Sequence, residues 1–321
     1  MNVLIVGATG ETGLSIVNGL LESSTDFNVT AIVRPSSIHK PEVEHIKSKG
    51  VSIVSLDIQN SHEELVKALT GQDVVISGLV PWSKDPELAL INAAKDAGVK
   101  RYVPSAFGPS CPPGGVMFLR ELKEDLFNHI KKLYLPYTII DVGLWYQGTL
   151  PNLPSGKIDY AVTFPATTIA EDGSHASTIT DLRDVGRYVA RIITDERTLN
   201  KSVFAYNEVW TQEMIFSHLE RVSGEKLERK FVSTKELEAM IAAAQTKYDQ
   251  GDKSIPDMIG LSAVQYLSCE WFRQDNLPER AKYLGYLSSK DLYPDFEPTK
   301  YVDYVDEVLA GKGKAIYANR G

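Results

Sequence analysis

Three glycines, Gly7, Gly10 and Gly13, recur at three-residue spacing directly after the apolar run 3–6 and open a helical pattern. Glycines at such a junction let the chain turn tightly, bring its backbone close to a ligand and pack the helix on the strand. The amides at the helix start then face negative charge. A pyrophosphate suits this strand–turn–helix context, so Gly7, Thr9, Gly10, Glu11, Thr12 and Gly13 are expected to form a dinucleotide cradle. The plain alternative is a glycine turn that holds nothing.

The second apolar run ends Ile32-Val33-Arg34-Pro35-Ser36-Ser37. A site for NAD offers a carboxylate to the ribose 2′-hydroxyl at this point. Here there is none, and Arg34 stands ready to pair with a 2′-phosphate, with Lys40 as a second cation. NADPH is therefore the expected cofactor, unless Arg34 is simply a solvated strand-end charge. Asp57 closes the third run at the same rim, where it either accepts from the adenine amino group or caps its loop. Gly78 and Leu79 follow the fourth run, Ser105 and Phe107 the fifth, and these four are also expected at the cofactor.

One lysine is out of place. In the pattern 117–133, read at about 100° per residue, Leu119, Leu122, Leu126, Ile130 and Leu133 form an apolar stripe about 80° wide. Lys123 falls roughly 20° from Ile130. Arg120, Glu121, Glu124, Asp125, Lys131 and Lys132 lie farther round. A lysine so placed snorkels, pairs, or points into a cleft. The loop 105–115 before this helix follows the fifth strand, at the sheet end where open α/β folds bind ligands. The Tyr-x-x-x-Lys pair is absent here, because Leu119 precedes Lys123 by four. The one match, Tyr286 with Lys290, falls in a segment expected far from the sheet and is read as chance. No nucleophile elbow or metal-spaced histidine cluster stands out.

These groups need a frame. Strands are predicted at 3–6, 29–33, 51–54, 74–77, 101–104 and 137–142, with helices at 11–22, 41–49, 62–69, 86–97 and 117–133 between them. The runs are rich in Val and Ile and apolar on both faces, as buried parallel strands are. The alternation predicts an α/β fold, a Rossmann-type doubly wound parallel sheet. Residues 1–150 are expected to form the NADP-binding domain. Residues 151–321 are expected to form a smaller, mixed, mainly helical substrate lobe, with about 175–206 packing back on the sheet. Strands are expected there at 174–180 and 202–206, and helices at 180–194, 211–222, 234–245 and 261–272. The formal net charge of −8 speaks against sequence-independent nucleic-acid or anionic-membrane binding. No apolar run approaches the ~20 residues of a membrane span. Cys111 and Cys269 read as two free thiols, and no metal is expected. With strand residues from the outset and no leader pattern, the expected compartment is cytoplasmic.

The sequence resembles the NmrA-like and isoflavone-reductase-like family, an atypical branch of the short-chain dehydrogenases/reductases. The resembling stretches are Gly7 to Gly13, Arg34, Val99-Lys100-Arg101-Tyr102-Val103-Pro104-Ser105-Ala106-Phe107-Gly108, Lys123, Leu135-Pro136-Tyr137-Thr138, Asp184-Val185-Gly186 and Thr198-Leu199-Asn200-Lys201. The stretch from Asp141 to Tyr146 is similar to fungal members. The resemblance implies NADPH binding and a lysine, Lys123, that acts as general acid/base in reducing small aromatic or secondary-metabolite substrates. It also admits an NADP-sensing regulator with a protein partner, or a non-redox isomerase or lyase. A monomer or homodimer is expected. The similar reductases read Pro-Ser-Glu-Phe-Gly where this chain has Ala106, a departure that bears on substrate class. Phe107, Trp145 and Tyr146 are expected at the substrate; the alternative for the two aromatics after the sixth strand is core or lid packing.

Overall fold

The computed structural model describes residues 1–318. Five parallel strands, β1 (Asn2–Val6), β2 (Asn28–Val33), β3 (Ser52–Ser55), β4 (Val74–Ser77) and β5 (Arg101–Val103), lie in the order β3-β2-β1-β4-β5. Helices α1 (Glu11–Leu21), α2 (Pro41–Ser48), α3 (His62–Leu69), α4 (Lys84–Asp96) and α5 (Phe118–Lys132) make the crossovers. Along β1 the faces alternate. Val3 and Ile5 enter one core with Ile16 and Val17 of α1, while Leu4 and Val6 enter another with Leu65, Leu90 and Ile130. Burial on both faces is why these strands read as unbroken apolar runs.

The sheet then draws on later sequence. A parallel bridge from Tyr102 to Tyr137 leads into β6 (Thr138–Asp141). Beyond a short β7 (Leu144–Trp145), β8 (Thr168–Ala170) and β9 (Ala176–Thr180), strand β10 (Lys201–Phe204) pairs parallel with β6. Helix α6 (Leu182–Ile192), capped by the Asp181 side chain, packs on α1. This crossing is unusually close: a Cβ on Gly186 would sit 1.8 Å from the Ser15 carbonyl oxygen, and one on Gly19 would sit 2.1 Å from the Gly186 carbonyl carbon. The Ser15 hydroxyl bridges it, donating to Leu182 O and accepting from Gly186 N.

The rest forms the second lobe. It contains β11 (Glu208–Thr211), α7 (Gln212–Ser223), β12 (Lys230–Val232), α8 (Thr234–Gln250), α9 (Ile255–Leu267), α10 (Pro278–Tyr283), β13 (Leu287–Ser288), α11 (Ser289–Leu292) and α12 (Tyr301–Leu309). Strands β7, β9 and β11 form one small sheet, β8 and β12 another. Two sequence expectations are corrected here. The predicted helix 261–272 is α9 followed by a π turn, Ser268–Phe272. Tyr286 is not far from the sheet, because the adjoining β13 pairs with β10 and extends it. No helix among the described residues is long and apolar enough to cross a membrane. Cys111 and Cys269 are free, buried thiols, yet the fold brings them together beside Asp275, with their ligand atoms within 4.8 Å of one another.

Candidate active site

Helix α1 starts at the carboxyl end of β1, and its N-cap, Gly10, offers no side chain to the first turn. The first intrahelical bond runs from Leu14 N to Gly10 O, which leaves the Glu11, Thr12 and Gly13 amides without an intrahelical acceptor. Gly7 has φ +81°, and a Cβ there would lie 2.6 Å from the Gly78 carbonyl oxygen; a Cβ on Gly13 would lie 2.1 Å from the Gly7 carbonyl oxygen. Side chains are thus excluded from the turn by its own backbone. The cradle has free donors and no Cβ wall, and fits a pyrophosphate. Gly78, held by its N–H to Val6 O, closes the back of this turn.

At the tip of β2, Arg34 is exposed and enters no ion pair or hydrogen bond through its side chain among the described residues. Lys40 is likewise exposed and unpaired. Two cations free of carboxylates suit a phosphate monoester on the ribose. Asp57 commits one carboxylate oxygen to the Gln59 amide, so the loop-capping reading of this residue holds at that atom. The Glu11 carboxylate accepts from Tyr317 N at 2.9 Å, which ties the segment after α12 to the start of α1. Thr9 is exposed and Thr12 half-buried on the same turn.

Lys123 is 9% exposed, and its Nζ donates to Ala106 O at 2.6 Å. Burial, then the neighbouring Arg120 guanidinium, lowers its pKa from the usual 10.5 to about 8, against the pull of Asp141 and Glu87. The lysine therefore does not snorkel: its ammonium is turned inward and paired with a backbone carbonyl. Lys123 is not the only charged residue turned inward. Arg120, expected farther round, is also buried, because Asp141 on β6 meets it at 2.7 Å and Glu124 flanks it. Tyr286 completes that cluster, donating to Asp141 and accepting from Arg120.

The loop after β5 carries the acceptor. Ser105 donates to Leu79 O at 2.7 Å, joining the two rim segments expected at the cofactor. Phe107 is held at φ +36°, a costly conformation for a side chain with a Cβ. Its ring is buried in the main core, so what it offers at the rim is its carbonyl, which accepts from Trp145 Nε1 at 3.1 Å. Trp145 is half-buried, 6.2 Å ring to ring from Tyr317. Tyr146, expected at the substrate, is core instead: it is fully buried against Tyr301 and Tyr304, with its hydroxyl bonded to Glu208 and Thr299 O. Strand β7 ends at Trp145 and Tyr146 opens a 3-10 turn, so the two rings part: Trp145 packs against the main core and Tyr146 enters the core of the second lobe.

Several residues at the site escaped sequence reasoning. Glu87 on α4 is buried, pinned by Ser77 and Tyr102, and its carboxyl is raised by burial. Asp141 reads simply as the end of an apolar strand. Tyr266 and Glu270 sit in a mostly apolar helical stretch with no marking signal. Only the packing of α4, β6 and α9 around α5 gathers them.

The NmrA-like family model matches residues 1–266 of the chain. The chain is 44% identical over 314 residues to an asnovolin J 5′,6′-dehydrogenase of Aspergillus novofumigatus, covering 97% of this chain and 96% of that one. A solved structure of isoflavone reductase superposes with a TM-score of 0.77 at 26% identity, over 95% of this chain and 98% of that one. A leucoanthocyanidin reductase–NADPH complex from Vitis vinifera shares the fold, with a TM-score of 0.78 at 22% identity, over 97% of this chain and all of that one.

Proposed function

The chain belongs to the NmrA-like family, and from that premise we propose that it is an NADPH-dependent oxidoreductase acting on a small, aromatic or secondary-metabolite substrate, with Lys123 handling the proton. The single observation that carries this reading is the Lys123 ammonium: buried, at the carboxyl rim of the sheet, with a pKa near 8. A lysine so tuned exchanges a proton near neutral pH, which a solvated one does not.

NADPH, when bound, would supply the hydride, and NADP⁺ would accept it in the reverse direction. The chain does the rest. The α1 amides and Gly7 hold the pyrophosphate, and Arg34 and Lys40 select the 2′-phosphate. Ala106 O orients the Lys123 ammonium by accepting one of its three protons and leaves the others for a substrate oxygen. Trp145, at the start of the second lobe, offers a flat face to an aromatic ligand. Cytoplasmic residence and a monomer or homodimer are part of the same proposal.

The relative named a dehydrogenase motivates including conjugated enones in the test. Purified protein is incubated with NADPH and a panel of aromatic carbonyls, benzylic ethers and enones, following absorbance at 340 nm and product mass. Consumption of NADPH with a product two mass units heavier is expected for one class. A product isomeric with its substrate and no net NADPH consumption points to the isomerase alternative. NADPH binding without turnover on any class points to the sensor.

A further inference from the structure

We propose that Tyr266, on α9, is the second hydrogen-bond donor to the substrate oxygen, facing Lys123 across the bare Cα of Gly108. The proposal rests on the reading of Lys123 as the group at the reacting oxygen.

The geometry is local and specific. The point where a Gly108 Cβ would stand lies 3.8 Å from Lys123 Nζ and 3.8 Å from the Tyr266 hydroxyl oxygen. A glycine therefore keeps open the space on which an ammonium and a phenol converge. Gly108 does not need to be glycine for its backbone, since the nearest atom to that Cβ, Ala106 O, is 3.6 Å away and its φ is not in the left-handed region. Space, not conformation, is what the missing side chain provides there.

The phenol has no other occupation. Among the described residues the Tyr266 hydroxyl makes no hydrogen bond. Burial, with Glu270, Tyr317, Cys269 and Asp141 around it, raises its pKa, so it stays protonated and can donate. Glu270, four residues on, is 4% exposed, and its Oε1 is buried without a partner among the described residues. A buried polar group left unpaired is costly, and this one, on the same stretch as a half-buried phenol without a hydrogen bond and beside a half-paired lysine, marks a place made for a polar ligand. That stretch runs into the π turn Ser268–Phe272, a distortion that recurs at functional sites.

The two donors are held in register. Gln265, next to Tyr266, accepts from Phe118 N at the first turn of α5. The loop carrying Gly108 is docked on the π-turn region, with Ser110 N donating to Asn276 and Ser110 Oγ to Asp275 O. Preorganised donors of this kind stabilise charge that develops on oxygen during hydride transfer in either direction. Tyr266 thus takes, from across the fold, the place left empty when Leu119 stands four residues before Lys123.

The test uses p-nitrophenol as an oxyanion probe, titrated into the protein with and without saturating NADP⁺ and read at 400 nm. The bound probe in wild-type protein is expected to ionise at lower pH than the free one. Tyr266→Phe is expected to weaken phenolate binding about tenfold with NADPH affinity and melting temperature unchanged, and Lys123→Met to weaken it at least as much. Should Tyr266→Phe misfold, Gly108→Ala is the second variant. Its contacts are ordinary, so it folds, yet its methyl fills the space between the donors and excludes the probe. Wild-type affinity in Tyr266→Phe or in Gly108→Ala, with Lys123→Met impaired, overturns the role of Tyr266 and leaves that of Lys123 standing. Unchanged affinity in Lys123→Met removes the underlying reading as well. A wild-type protein that ignores the probe overturns the oxygen site.

Discussion

The Lys123 ammonium donates to the carbonyl oxygen of Ala106 at 2.6 Å. The residue that stands where similar reductases have glutamate therefore reaches the lysine through its backbone, a bond that any side chain at that position would allow. The Ala106 methyl packs instead with Phe127 and Ile139. Orientation of the lysine and packing of the neighbouring core are thus set by separate parts of one residue.

Lys123 costs stability by being buried as a cation. Its pKa is about 8 folded against 10.5 for an ordinary lysine. The unfolded chain binds this proton more tightly, so the penalty is complete below pH 8 and fades as pH rises toward 10.5; it is on the order of 3 kcal/mol. Lys123→Met is expected to lose turnover, keep NADPH binding and melt higher than wild type at pH 7, with the gain shrinking toward pH 10. A lower melting temperature at pH 7 would show that the Ala106 bond outweighs the burial.

Glu270 has the opposite slope. Burial raises its carboxyl from 4.5 to about 8. The folded state holds this proton more tightly, so the stability it contributes is whole below pH 4.5 and drains away as pH climbs to 8. Glu270→Gln is expected to match wild type in urea midpoint at pH 4.5 and exceed it progressively up to pH 8. A difference that does not grow over that window would mean the carboxyl ionises freely.

Arg34 is expected to discriminate between the two dinucleotides. Its guanidinium is exposed and, among the described residues, unpaired, so its loss disturbs no other contact there. Arg34→Ala is expected to weaken NADPH roughly tenfold to a hundredfold while leaving NADH nearly unchanged, measured as two dissociation constants by calorimetry. Equal losses would refute the 2′-phosphate contact.

Gly186 tests the frame rather than the site. An added methyl would meet the Ser15 carbonyl oxygen at 1.8 Å, a backbone atom that cannot swing aside, and α6 would have to leave α1. Gly186→Ala is expected to cost about 3 kcal/mol or more and, by tilting the α1 start, to weaken NADPH too. Gly71→Ala is the control: its φ of +82° is unfavourable but nothing lies within 4 Å, so about 1 kcal/mol and no change in NADPH binding are expected. A mild effect at Gly186 would mean the helices can part cheaply.

The sequence by itself determined the parallel frame and the phosphate cradle, because both are written in contiguous residues. Val3 to Val6, the turn Gly7 to Gly13, Arg34 and the stripe that singled out Lys123 each obey a short local period, and β4 and α3 fall where those periods place them. What surrounds the lysine was decided only by tertiary structure. Arg120 looked solvated until Asp141 arrived from β6, Tyr146 looked like a ligand face until the second lobe covered it, and Tyr266 carried no local sign at all. Periodicity tells which side of an element turns inward; it is silent about what other elements bring to meet it. Charge pairing and desolvation, which set the chemistry here, arise only between segments far apart in the chain.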